Sequence, residues 1–373
     1  MLLIFFFNAL LFSYLLLKKG LKEDKRDSIW LAALIFLGGL YICPFMFGYA
    51  NWYSIKNYRE FLFFTPFQHL FLLGPLFFFY VKILLNSKLR ITLKDLIHFL
   101  PAIIYLIYSL IVFITDKFVL DEFYFYADGK DKDLDFWYQM VGLISMLFYL
   151  LMSLKHYLNY RKLSLQEVSF ADAIAFTWIK HFILAFALIL VLRVLFFISN
   201  PEWGQFGRKY WYYLCFSVLM LYISITGYSN TIKAASVVDF EPSNDDKNEA
   251  ADVDPIEAFS SHEWNDKITH LFETEHVYKN PNLTLTDLAG LLETNRNIIS
   301  KTINQEFQMN FNDFVNHKRT EAIIARLKKG DHVQNTLLAI ALDSGFNSKT
   351  TFNRAFKKHT GMTPKQFITA NGL

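Results

Sequence analysis

Long apolar runs, confined to the first 230 residues, constrain this chain more than any other feature. Seven segments, approximately 2–17, 29–48, 61–81, 96–115, 136–154, 178–198 and 210–228, each approach the roughly 20 apolar residues that cross a hydrocarbon core. A backbone in lipid must satisfy its own polar groups, so each run is expected to be a helix. These segments account for a chain that is 53% hydrophobic and 18% aromatic, with 40 Phe. The composition excludes an ordinary water-surrounded globule for this half. The first run is the shortest of the seven. It begins Met1-Leu2-Leu3-Ile4-Phe5 with no basic stretch and no small-residue cleavage site, so it reads as a retained span, not a removed signal peptide.

Lysine and arginine set the orientation. The loop after the first run carries Lys18, Lys19, Lys22, Lys25 and Arg26; that after the third carries Lys82, Lys88, Arg90 and Lys94; that after the fifth carries Lys155, Arg161 and Lys162. Opposite loops hold fewer: Lys56 and Arg59, then Lys117, Lys130 and Lys132, then Arg208 and Lys209. With seven spans the N-terminus is expected outside and the C-terminus in the cytoplasm; an even number would break the agreement. Rings at span ends, such as Trp52-Tyr53, Trp137-Tyr138, Trp203 and Tyr210 to Tyr213, suit headgroup anchoring.

Ionisable groups inside lipid are functional candidates, and His69 and Arg193 are two. A bond to a neighbouring helix for His69 and an outward-snorkelling Arg193 are the readings favoured over a ligand role. The loop 116–135 is acidic and aromatic and is expected to be solvated, a place for a signal to land. Its Asp131, Asp133 and Asp135 begin like a calcium loop, but Phe136 and Gly142 stand where that loop needs glycine and glutamate. Cys43 and Cys215 lie in apolar runs and suggest neither disulfide nor thiolate site. His98, His156 and His181 gather near one side, yet no two histidines stand at i, i+3 or i, i+4. No metal site and no cofactor are expected.

Beyond residue 228 the character changes. Residues 236–262 carry Asp239, Glu241, Asp245, Asp246, Glu249, Asp252, Asp254 and Glu257 against Lys247 alone, and 229–262 reads as an acidic tether. From Arg296 to Lys365 the balance reverses to twelve Lys/Arg against five Asp/Glu. Trp264, Ile268, Leu271 and Phe272 have helical spacing. Next, Thr284 or Thr286 can cap a short helix 287–292, a turn follows at 293–295, and a second helix is expected over 296–307. A longer helix, 312–328, ends at Gly330-Asp331, and the pattern then repeats. Leu337-Leu338-Ala339-Ile340-Ala341 is a short apolar helix, 344–347 a turn, and 348–359 an amphipathic helix that Asn347 or Ser348 can cap. Phe352 and Phe356 hold its inner face, leaving Lys349, Thr350, Asn353, Arg354 and Lys357 outward. A short polar and basic helix after a tight turn is what a major groove accepts.

Two such units in tandem are more specific than one. Ile340-Ala341 followed by Gly345-Phe346, then Phe352, Arg354, Phe356-Lys357-Lys358, Gly361 and Thr363-Pro364, resembles the signature of the AraC/XylS family of bacterial transcription regulators. Leu283-Thr284-Leu285, Leu288-Ala289 and Arg319 through Ala322 to Leu327 resemble its first half. The resemblance covers about 100 residues and implies two helix-turn-helix units on a linker helix, entering successive major grooves. Carried over, it places Asn297, Ile298 and Lys301 of the first reader and Lys349, Thr350, Asn353 and Arg354 of the second against bases. Lys357 and Lys358 then fall to phosphates. Gln308 departs from the family, which commonly has glycine there.

The expectation is an all-α chain: a seven-helix transmembrane bundle over 1–228, the tether over 229–262, and an AraC-type domain over 263–373. Such a chain is expected in the bacterial inner membrane as a multi-pass regulator that couples an external or membrane signal to promoter DNA. Its partners would be promoter DNA, the lipid bilayer, a second copy in a homodimer, and a signal ligand or partner membrane protein. The rival reading is a transporter or channel with a regulatory tail; Pro44, Pro66, Pro75 and Pro101 interrupt spans, but no internal repeat supports it. No nucleophile–base pair, phosphate loop or paired carboxylates suggest an enzyme.

Overall fold

The computed structural model describes residues 1–86, 89, 91–171, 176–199, 209–233 and 261–373. Lys88, Arg90, Trp203, Arg208 and most of the acidic tether lie outside the described residues. The chain divides into two compact units: residues 1–157 with 177–239, and residues 158–176 with 240–373. Among the described residues there is no β-strand.

The first unit is built from α1 (Leu2–Glu23), α2 (Arg26–Tyr49), α3 (Lys56–Phe64), α4 (Leu70–Leu85), α5 (Leu100–Ile114), most of α6 (Phe136–Glu167), α7 (Phe176–Ser199) and α8 (Tyr210–Lys233). Six helices are long and apolar enough to cross a membrane: Leu2–Glu23, Arg26–Tyr49, Leu93–Val119, Phe136–Glu167, Trp178–Ser199 and Tyr210–Asn230. The helices α1 and α2 form a hairpin, and α8 packs on both. Apolar side chains stand exposed along single faces, with Ile103, Ile107, Leu110 and Ile111 on α5 and Leu184, Leu188, Val191 and Leu195 on α7.

The expected third span is not one helix. It divides into α3 and the 16-residue α4, separated by non-helical backbone at 65–69. Pro66 supplies the physical reason, since it lacks an N–H and disfavours helical geometry at Thr65. α4 is nearly surrounded: Phe77 stacks on Phe182 and Phe186 of α7, and the Trp178 Nε1 donates to the Tyr80 hydroxyl at 2.9 Å. The broken backbone is satisfied from loop 116–135 and from the first turn of α6. Asp133 Oδ2 accepts from the N–H groups of Phe67 (2.7 Å) and Gln68 (2.9 Å), and Tyr138 donates to the Gln68 carbonyl. A polar chain continues inward from there. Gln139 Nε2 donates to Gln68 Oε1 at 2.6 Å, and Arg193, 2% exposed, donates to the Gln139 side chain at 2.7 Å and its carbonyl at 3.0 Å.

Two expectations are thereby corrected. Arg193 does not snorkel outward, because its fork is used inside the bundle. Nor is the acidic loop simply solvated, for Asp116, Asp131 and Asp133 are all buried. Asp131 accepts from the Tyr53 hydroxyl at 2.6 Å, and Asp133 Oδ1 from that of Tyr105 at 2.8 Å. Burial pushes the Asp133 carboxyl up to about 6, against the hydrogen bonds from Gln68, Tyr105 and Phe67; burial and then the neighbouring Asp133 raise Asp131 as well. A carboxyl with a raised native pKa holds more proton when folded than when unfolded. Its stabilising contribution is therefore full below about pH 4 and is lost as pH rises through about 6, by about 1.4 kcal/mol per pH unit per proton. Thermal midpoints of the detergent-solubilised chain, measured from pH 4 to 7, should show this decline, and Asp133→Asn should flatten it. A variant with the wild-type pH slope would contradict the assignment.

Candidate nucleic-acid interface

In the second unit α9 (Ser261–Thr274) leads into α10 (Leu285–Leu291), α11 (Arg296–Glu306), α12 (Phe311–Lys328), α13 (Leu337–Asp343), α14 (Lys349–Thr360) and α15 (Pro364–Asn371). From α10 onward each helix start carries a side-chain cap. Thr284, not Thr286, caps α10 in a reciprocal box with Asp287; Asn295 caps α11, Asn310 caps α12, and Thr336 caps α13. Ser348, not Asn347, caps α14, accepting from the Thr351 N–H at 3.2 Å. Thr363 and Gln366 form a second reciprocal box at α15.

One helix serves two cores. The N-terminal half of α12 gives Phe311, Phe314 and Val315 to a cluster with Ile268, Phe272, Leu288, Ile299 and Ile303. Its C-terminal half gives Ile323 and Leu327 to another with Ile340, Phe346, Phe352 and Phe356. Midway lies Arg319, one of the residues that carry the resemblance to the family's first half. It is 1% exposed. Its Nε donates to the Tyr278 carbonyl (2.8 Å), and its Nη2 to the Asn280 carbonyl (2.7 Å) and Ser169 Oγ (3.2 Å). Desolvation lowers its pKa to about 9, leaving it charged at neutral pH. Gly345, at φ +94°, closes over it; a Cβ there would lie 2.2 Å from the Tyr278 carbonyl oxygen and 2.9 Å from Arg319 Nε. Only glycine fits this turn.

All nine sequence-derived contact residues are exposed: Asn297, Ile298 and Lys301 on α11, and Lys349, Thr350, Asn353, Arg354, Lys357 and Lys358 on α14. Inward-facing Ile299 and Ile303, and Phe352 and Phe356, fix the two faces. On α14, Lys349, Thr350, Asn353, Arg354 and Lys357 line one groove of about 820 Å³. Lys358 differs from them, since its Nζ pairs with Asp313 Oδ1 of α12 at 2.7 Å. That pair is exposed and holds the lysine only weakly.

Gln308 occupies the bend between α11 and α12 at φ 52°, the left-handed region that favours glycine. Gln308→Gly should therefore raise the stability of this unit by a net of roughly 0.5–1 kcal/mol, strain relief exceeding the added unfolded-state entropy. An unchanged or lowered thermal midpoint would contradict it.

A short segment after α6 belongs to this unit and escaped the sequence reading. Val168 bridges Thr284 in antiparallel fashion, and the Ser169 N–H donates to the Leu283 carbonyl at 3.0 Å. Asn312 Nδ2 donates to the carbonyls of Ser169 (2.9 Å) and Val168 (3.3 Å), and Arg296 lies 3.8 Å from Glu167. Val168, Ser169 and Ala171 are buried there. Asn312 and Arg319 thus hold residues 168–169 beside the cap of α10.

Residues 288–370 match a family described as a helix-turn-helix domain. HTH-type transcriptional regulators of Staphylococcus aureus strains COL and MSSA476 are each 29% identical to this chain over 102 residues, 27% of this chain and 13% of theirs. The chain therefore spans about an eighth of the length of the curated relatives it matches. No solved structure matches it. The expected C-terminal helix-turn-helix domain of the AraC type is present.

Proposed function

We propose that this chain is a membrane-embedded, one-component transcription regulator whose two reading helices bind promoter DNA. The observation that carries the reading is the pairing, in one chain, of six membrane-length apolar helices with a tandem helix-turn-helix domain whose reading faces are polar and basic. Lys349, Thr350, Asn353 and Arg354 choose sequence in the second groove, and Asn297, Ile298 and Lys301 do so in the first. Lys357 contacts phosphate, and Lys358 exchanges Asp313 for phosphate on binding.

In this reading α4 makes the seventh crossing. At 16 residues it is short, about 24 Å. Its burial, and the hydrogen-bonded backbone at 65–69, satisfy the condition under which irregular backbone is tolerated at membrane depth. An odd count with the basic loops inside puts the N-terminus outside and the reading helices with the chromosome. The exposed apolar faces of α5 and α7 suit lipid. The segment 168–171 offers a route for the signal, since it follows directly from an apolar helix and is bonded into the domain that reads DNA.

The test uses the full chain in lipid nanodiscs with a pool of random duplexes. Selection should enrich one motif with two recognition elements about one helical turn apart. Recovery of unenriched sequence, alongside solute flux through the reconstituted protein, would replace this reading with a transporter.

A further inference from the structure

On the seam between α12 and α14, away from the groove that lines the reading face, three donors converge. His317 and Glu321 stand at i, i+4 on α12, hence on one face. The last turn of α14 brings His359 against them, because Phe352 and Phe356 seat that helix on Ile323 and Leu327. One ligand atom from each of the three lies within 4.8 Å of the others. We propose that His317, Glu321 and His359 bind one divalent transition-metal ion of the zinc class, joining the linker helix to the second reading helix.

The geometry needs little adjustment. Tetrahedral zinc with bonds of about 2.0–2.1 Å keeps its ligand atoms roughly 3.3 Å apart. His317 Nε2 and Glu321 Oε1 are already 3.4 Å apart. The imidazoles of His317 and His359 meet edge to face, with centroids 3.9 Å apart and planes at 81°. His317 is half-buried and Glu321 and His359 are exposed, so their side chains have room to turn toward one ion. Two imidazoles and a carboxylate favour zinc over calcium or magnesium, which prefer all-oxygen shells. Burial, then the neighbouring His359, lowers the His317 pKa and favours the neutral, ligating ring.

Nearby cations are largely occupied. Lys358 pairs with Asp313, and Lys318 binds the other Glu321 oxygen, Oε2, at 3.2 Å, leaving Oε1 for the ion. Three protein ligands leave a fourth position open to water. The site was illegible in sequence because His359 lies 42 residues beyond His317 on another helix, and only α12–α14 packing brings them together.

The test is independent of DNA binding. The full chain, purified in detergent and stripped with chelator, is dialysed against zinc chloride and its zinc content measured. Cobalt substitution then reports coordination through the ligand-field spectrum. The expected result is one zinc per chain above that of His317→Asn and His359→Gln, with tetrahedral cobalt bands lost in both. Circular dichroism keeps unfolded variants from being scored, and Glu321→Gln, a surface change, gives a third reading of the same loss. Equal zinc content and unchanged cobalt spectra in folded variants would overturn the proposal, as would a wild-type chain that takes up no zinc.

Discussion

Arg319→Met should destabilise the DNA-binding unit by on the order of 3 kcal/mol, the largest stability effect expected from a single substitution in this chain. The guanidinium serves the carbonyls of Tyr278 and Asn280 and the side chains of Ser169 and Asn316 from a position 1% exposed. Methionine fills much of the volume and donates nothing. Two or three buried acceptors are then left without partners, at about 1–3 kcal/mol each before water enters. Arg319→Lys should recover only part of the loss, because one ammonium cannot reach acceptors spread around a planar fork. Both variants should also loosen residues 168–169, so amide exchange at Ser169 should rise with the fall in thermal midpoint. An unfolding free energy within about 0.5 kcal/mol of wild type in Arg319→Met would remove Arg319 as the hub of the unit.

The second large effect concerns recognition. Arg354→Ala should weaken binding to the selected promoter motif by about 10- to 100-fold, equivalent to the 1–3 kcal/mol of a good base contact. Membrane insertion and the midpoint should not change, because the side chain is exposed on α14 and the inner face rests on Phe352 and Phe356. Affinity for random duplex should fall far less than affinity for the motif. Equal losses on both DNAs would reassign Arg354 to phosphate contact. Lys357→Ala supplies the contrast, with both affinities falling together and a shallower salt dependence by about one ion.

The parts of the fold legible in sequence are those governed by neighbours along the chain. Thr284 or Thr286 before α10 and Asn347 or Ser348 before α14 mark helix starts through local hydrogen bonds, and the structure uses Thr284 and Ser348. Phe352 and Phe356 mark a buried face through a one-turn spacing. The nine candidate positions, seven of them carried over from the resemblance, all lie on the exposed faces that the buried residues of α11 and α14 leave over. What was missed depends on residues far apart. Asp133 sits more than sixty positions from the backbone N–H groups at Phe67 and Gln68 that it holds, and Arg193 is 54 from Gln139. Polar residues with such partners look, in sequence, like solvated or snorkelling groups. Arg319 was legible only as a residue that carries the resemblance; its acceptors, from residues 169, 278, 280 and 316, were not. The divided third span was half legible. Pro66 was visible as an interruption, but the loop carboxylate that makes the break tolerable was not.

Genome-wide crosslinking and immunoprecipitation of the full-length chain from isolated membranes tests the central claim most directly. Discrete DNA peaks that share one motif, recovered with intact chain in the membrane fraction and reduced by Arg354→Ala, are the predicted result. Membrane-held protein without DNA peaks under any growth condition would contradict the account, as would peaks unchanged by Arg354→Ala.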